Sequence, residues 1–210
     1  MLEDALTARR DVADPMAILR AAPNLADPAL AEGSLEDAKS LIAESLQLAR
    51  VIRYSSALAM ALALDALLAL HRDDLDHASD RINESLDVVR AAYHVMSAVT
   101  LLTAAATLAA ARNDPLRAAQ LWSAFDSSMA RVGADDTCDA RRLREKWLPQ
   151  ARQLASATAW QNAWEAGAKL TPRQALDLVD TQAPISHTAR AVRLVRRSAV
   201  APVHEQLRRP

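Results

Sequence analysis

Ala38-Lys-Ser-Leu-Ile42-Ala-Glu44-Ser45-Leu46-Gln-Leu-Ala-Arg50 returns 40 residues later as Ala78-Ser-Asp-Arg-Ile82-Asn-Glu84-Ser85-Leu86-Asp-Val-Val-Arg90. The two stretches share Ala38/Ala78, Ile42/Ile82, Glu44/Glu84, Ser45/Ser85, Leu46/Leu86 and Arg50/Arg90. Self-similarity at a fixed period is the mark of stacked helical hairpins, because one hairpin cannot bury its apolar face alone. In the first copy Ile42, Leu46, Ala49 and Ile52 line one side of a helix, and Glu44, Gln47 and Arg50 the other. After each copy comes an almost wholly apolar segment, Ser55 to His71 and then His94 to Arg112, which needs neighbours on more than one side. A third, weaker copy is expected at Ala119-Gln-Leu-Trp122-Ser-Ala-Phe125, 41 residues after Ala78, with Arg131 in the place of Arg90.

The punctuation between these segments is helical too. Gly33-Ser34-Leu-Glu-Asp37 predicts a break and a helix start, with Ser34 as the cap and Asp37 at the reciprocal position. Asn113-Asp114-Pro115 predicts another, since Asp accepts from free N–H groups and Pro loses nothing in the first turn. Later helices are expected over 115–132 (ending at Gly133), 139–156, 160–166 (closed by Gly167) and from Thr171-Pro172-Arg-Gln174 to Asp180. The expected organisation is all-α, a solenoid of antiparallel helical hairpins. Residues 1–33, broken by Pro15, Pro23 and Pro28, form short helices and a loop; 34–180 form the repeat domain with a cap around Trp160 and Trp164; 181–210 form a basic, flexible tail.

Composition supports this reading and excludes several functions. Hydrophobic residues make up 51% of the 210-residue chain but aromatics only 3%, a mixture dominated by Ala and Leu that favours helices over strands. The three glycines, Gly33, Gly133 and Gly167, are too far apart for a Walker loop, a dinucleotide fingerprint or a nucleophile elbow. The single Cys138 can form neither an internal disulfide nor a paired-cysteine metal clamp. Ala57 to Leu70, interrupted by Asp65, falls short of the roughly 20 residues that cross a bilayer. The first ten residues lack the apolar core of a signal peptide, so a cytoplasmic protein without metal or cofactor is expected. Net charge is −1, divided into about −6 for the body and about +5 for residues 181–210, which hold six Arg and one Glu.

Two resemblances follow from these residues. The unit of about 40 residues, alternating amphipathic and apolar helices around Ala38 and Ala78, resembles a tetratricopeptide (TPR) repeat of the longer, MalT-like kind. Asp114-Pro-Leu-Arg-Ala118-Ala119-Gln-Leu-Trp-Ser-Ala124, followed by Ala163-Trp164-Glu-Ala-Gly167-Ala-Lys-Leu170-Thr171 and Ala175, is similar to the C-terminal end of the helical-repeat region in bacterial LuxR-type and AfsR/SARP-type transcriptional regulators and multidomain nucleotide cyclases. The resemblance covers about residues 35–180 and departs at Trp122-Ser123, where the family pattern has Leu-Gly. It implies a non-catalytic module for protein interaction or signal coupling, lacking the family's ATPase and helix-turn-helix domains.

Candidate contacts follow from that role. Ser97, Thr100, Thr103 and Thr107 fall at helical spacing and form a candidate partner-binding groove, although such hydroxyls also bond back to the preceding turn. Glu44/Glu84 and Arg50/Arg90 mark either repeated partner contacts or solvated charge pairs. Arg190, Arg193, Arg196 and Arg197, interleaved with Val192, Leu194 and Val195, are candidate nucleic-acid or membrane contacts, giving the alternative of a nucleic-acid-binding regulator. Asp73 to Glu84 has the length of a calcium loop, but Leu75 and Ala78 stand where a ligand and a turn Gly are required, so an acidic helix start is expected. Trp122, Phe125, Trp147, Trp160 and Trp164 are expected to close the end of the stack. Cys138, among Asp135, Asp136 and Asp139, is expected to be unreactive.

Overall fold

The turns that separate the hairpins repeat as faithfully as the helices. Gly33, Asp73 and Asn113, spaced 40 apart, all adopt left-handed backbone with φ of 84°, 56° and 59°. Gly, Asn and Asp are the residues that accept this conformation most readily. The amide after each reaches back over the helix end: Ser34 to Ala29, Asp74 to Ala69 and Asp114 to Ala109, each at 2.9 Å. These bonds satisfy carbonyls that a helix terminus would otherwise leave open.

The structure, a computed structural model, describes residues 15–133 and 135–180, which form α-helices and contain no strand. In chain order these are α1 (Pro15–Glu32), α2 (Leu35–Val51), α3 (Ser55–His71), α4 (Leu75–Ala91), α5 (Val95–Ala111), α6 (Pro115–Val132), α7 (Cys138–Gln153), α8 (Ala157–Ala168) and α9 (Pro172–Asp180). Helices α1, α3 and α5 form one row, packed side to side, and α2, α4 and α6 pack against that row as successive hairpin partners. The fold is thus an all-α stack of antiparallel hairpins. No helix among the described residues is long and apolar enough to cross a membrane.

Side-chain burial follows the same period. Positions 38/78/118, 42/82/122, 45/85/125 and 49/89/129 are buried in α2, α4 and α6. Positions 19/59/99, 22/62/102, 26/66/106 and 30/70/110 are buried in α1, α3 and α5. The third amphipathic copy therefore lies at 40 residues, with Ala118 under Ala78, rather than at the 41 expected through Ala119 and Arg131. Its residues are larger, Trp122, Phe125 and Met129 standing where α4 has Ile82, Ser85 and Val89, because α6 faces the end of the stack and must fill more space.

The N-terminal segment also departs from expectation. Pro15–Glu32 is one helix of 18 residues with Pro23 and Pro28 inside it, and Leu19, Ala22, Ala26 and Leu30 buried. Each Pro removes one backbone donor, yet burial of this stripe against α2 and α3 holds the helix together. In sequence the prolines break the pattern; in the fold α1 is the first member of the row that α3 and α5 continue.

Two capping expectations change as well. Ser34 occupies the cap position of α2 but makes no side-chain cap bond. Asp74 and Asp114 do, accepting from His77 N at 3.0 Å and Arg117 N at 3.3 Å. Gly167 lies inside α8 rather than ending it. A Cβ there would fall 2.2 Å from the Gln120 carbonyl oxygen, so this Gly lets α8 and α6 approach backbone to backbone.

Candidate functional site

Three of the four hydroxyl residues read as a groove are buried within the stack. Ser97, Thr103 and Thr107 are buried and Thr100 is half-buried. Ser97 Oγ donates to the Ser56 carbonyl of α3 at 3.0 Å, tying α5 to its neighbour. Thr100, Thr103 and Thr107 donate to the Met96, Val99 and Thr103 carbonyls one turn earlier on the same helix. This satisfies the hydroxyls while small side chains let the helices approach.

The repeated charges join one repeat to the next. Arg50 Nη2 donates to Glu84 at 3.1 Å, linking the end of α2 to α4, and Arg81 links Glu84 to Asp65 of α3. The equivalent of Glu84 in α6 is Ala124, and Arg90 instead meets Asp177 of α9 at 3.6 Å. A second pair recurs at the hairpin bases, Arg72 with Glu36 and Arg112 with Asp76. Sequence reading missed both partnerships, although the 40-residue offset of Glu36/Asp76 and Arg72/Arg112 was there to be found.

Three C-terminal helices wrap the repeats. Helix α7 packs against α1, α5 and α6, crossing the row of odd-numbered helices and touching both ends of it. Helix α8 packs on α6, and α9 lies against α4, α5 and α6. Trp122, Phe125 and Trp160 are buried, Trp147 and Trp164 half-buried, and Trp160 stacks on Trp164 at 6.2 Å between centroids. Carbonyls at the ends of α8 and α9 are met from α6: Ser127 donates to Ala168 O, Arg131 to Leu170 O and Arg117 to Leu178 O.

A polar junction seats the start of α7. The Asp27 carboxylate of α1 accepts from Cys138 N at 2.9 Å and from Asp139 N at 3.4 Å, the favourable place for a negative charge at a helix N-terminus. His71 Nε2, at the end of α3, lies 2.6 Å from Asp139 Oδ1. Asp139 is fully buried, and its other oxygen has no hydrogen-bond partner within the protein. Burial pushes its carboxyl above the ordinary value of 3.8; His71 opposes the rise and Asp27 adds to it. Further along α7, Arg144 grips Asp126 of α6 through both carboxylate oxygens and lies 5.6 Å from the centre of the Trp164 ring.

The surface carries a cleft and an apolar patch. Val89, Arg90, Tyr93, Arg173, Leu176 and Asp177 line a small cleft of about 140 Å³ between α4 and α9, with Arg173 stacked on Tyr93. Val51, Ile52 and Tyr54 are exposed together at the turn from α2 to α3. Cys138 is exposed at the start of α7. Among the described residues, no group of three or more His, Cys, Asp or Glu is arranged to hold a metal ion. Arg190, Arg193, Arg196 and Arg197 lie outside the described residues. No family model, curated protein or solved structure matches the chain.

Proposed function

We propose that this chain is a non-catalytic helical-repeat module that binds a protein partner, serving signal coupling in a bacterial regulatory system of the LuxR/MalT-like kind. The observation that supports this reading best is the 40-residue recurrence of turn, core position and inter-repeat ion pair. Such stacks present long faces whose chemistry is spread over many helices, which suits recognition of another chain more than the gathering of reactive groups in one pocket. The polar contacts within the repeats agree: the hydroxyls of α5 are used in packing, and the Arg50–Glu84 pair holds α2 to α4.

The test is affinity capture from a bacterial extract with the full chain, followed by titration of each purified candidate. A saturable complex with a protein, weakened by substitutions on one exposed face and indifferent to those on the opposite face, is the expected result. Failure to find any saturable protein partner, with the bait folded, overturns the proposal.

A further inference from the structure

We propose that the seat occupied by α7 on the α1–α3–α5 row is a docking groove for a basic amphipathic helix of the partner protein, with α7 its resident occupant in the free chain. This rests on the interaction reading above and names the partner's chemistry.

Three observations carry it. The first is topology. Continuation of the repeat would place the next helix of the odd row at residue 135, in a tight hairpin with α6; α7 instead begins at Cys138 and reaches back to α1. It therefore lies across the row and does not extend it.

The second is the quality of the fit. The buried side chains of α7 are Asp139, Ala140, Leu143 and Ala151, with Trp147 and Leu148 half-buried against the core. Two of the four buried residues are alanines, and the helix contains Pro149. Asp139 Oδ2 and Trp147 Nε1 are buried without hydrogen-bond partners within the protein. Native contacts that leave such groups unsatisfied are the ones a better-matched helix can improve on. By contrast α8 is sealed onto α6 by the backbone contact at Gly167.

The third is charge. The row offers Asp27 from α1 to meet helix N–H groups and His71 from α3 to meet a carboxylate at the helix start, and the adjoining α6 offers Asp126 to clasp an arginine. Helix α7 carries Arg141, Arg142, Arg144, Lys146 and Arg152 against Asp139 and Glu145. The body it lies on is acidic overall. The matching ligand is a cationic helix presenting small, Leu, aromatic and small residues at i, i+3, i+7 and i+11, with an Arg one residue after the Leu.

The probe is a fluorescent peptide of residues 137–153, titrated against the full chain carrying Leu143→Ala and Arg144→Ala. Both changes loosen α7 and leave the seat intact. Saturable binding is expected, with a midpoint at least tenfold lower than for the unaltered chain. Adding Asp126→Asn to the loosened chain weakens it severalfold, and so does Arg144→Glu in the peptide. Absence of saturable binding by the loosened chain, while it stays helical and melts cooperatively, overturns the proposal.

Should the loosened chain fail to fold, hydrogen exchange on the unaltered chain decides. Amides of α7 are expected to exchange through an opening that leaves α3 and α5 protected; exchange of α7 only together with α3 and α5 overturns it. A partner whose cross-links map away from this row also overturns the docking groove, and leaves the interaction function standing.

Discussion

Helices α1 to α6 and helices α7 to α9 are stabilised on different principles. In the repeats the same positions are buried in each copy, the same left-handed turn joins hairpins, and the same ion pair recurs at Arg72/Glu36 and Arg112/Asp76. Each unit touches its neighbours, so stability accumulates by addition along the stack. The C-terminal helices depend on contacts that occur once: Gly167 against Gln120, Arg144 on Asp126, Arg173 on Tyr93, and Asp27 with the start of α7, 111 residues away. The comparison teaches that a change in the periodic packing is felt by the whole stack, while a change at a singular contact falls first on the one helix that contact holds.

Substitutions can break or sharpen this contrast. Leu102 is wholly buried in α5, the helix that packs against α3, α4 and α6. Leu102→Ala should cost about 3 kcal/mol, the middle of the range for a large-to-small core change, read as a lower urea midpoint of the whole chain. Gly167→Ala should cost about 2 kcal/mol by overpacking, since the new Cβ meets backbone that cannot turn aside. If hydrogen exchange then shows α8 released while α3 and α5 stay protected, the two regions are separate in stability; simultaneous loss would unite them.

Smaller effects test the joints. Asp114→Ala should cost about 1 kcal/mol in thermal or urea melts because it removes a formed cap bond, whereas Ser34→Ala should leave the midpoint unchanged. Equal losses at the two caps would contradict the difference between them. The last effect is one of slope. Between the ordinary carboxyl value of 3.8 and its raised value in the fold, Asp139 keeps a proton that the unfolded chain has released, so stability falls as pH rises through that interval. Asp139→Asn should flatten this decline, measured as urea midpoints over an acid-to-neutral series; an unchanged slope would refute the role of burial there.

Much of the fold was legible in the sequence because its information is local and repeated. Ala38/Ala78 and Ile42/Ile82 are identical pairs at equivalent buried positions, and Asp114-Pro115 starts a helix where the residue types predict one. The first odd-row helix was obscured because Pro23 and Pro28 weaken the local signal, while the compensating burial of Leu19, Ala22, Ala26 and Leu30 comes from α2 and α3. The third copy is masked in sequence because Ala119 and Arg131 imitate Ala78 and Arg90 one residue out of phase, while Trp122, Phe125 and Met129 share no residue type with Ile82, Ser85 and Val89. The site was less legible. Nothing near Asp27 or His71 in sequence announces that α7 will arrive beside them, since such contacts are written in tertiary packing alone. The spacing of Ser97, Thr103 and Thr107 identified a helix face, but spacing does not say whether that face looks outward or into a neighbour.

The joints at Gly33, Asp73 and Asn113 carry a consequence for how this chain can be cut and lengthened. A block running from one of them to the next begins and ends in the same local conformation, at the same phase of the superstructure. Removing one such block, or inserting a copy, brings together ends that already match, so the repeats can change length in whole 40-residue steps with no new hinge, at the cost of the bond between Asp27 and the start of α7. A shift by any other number would misalign every layer beyond it.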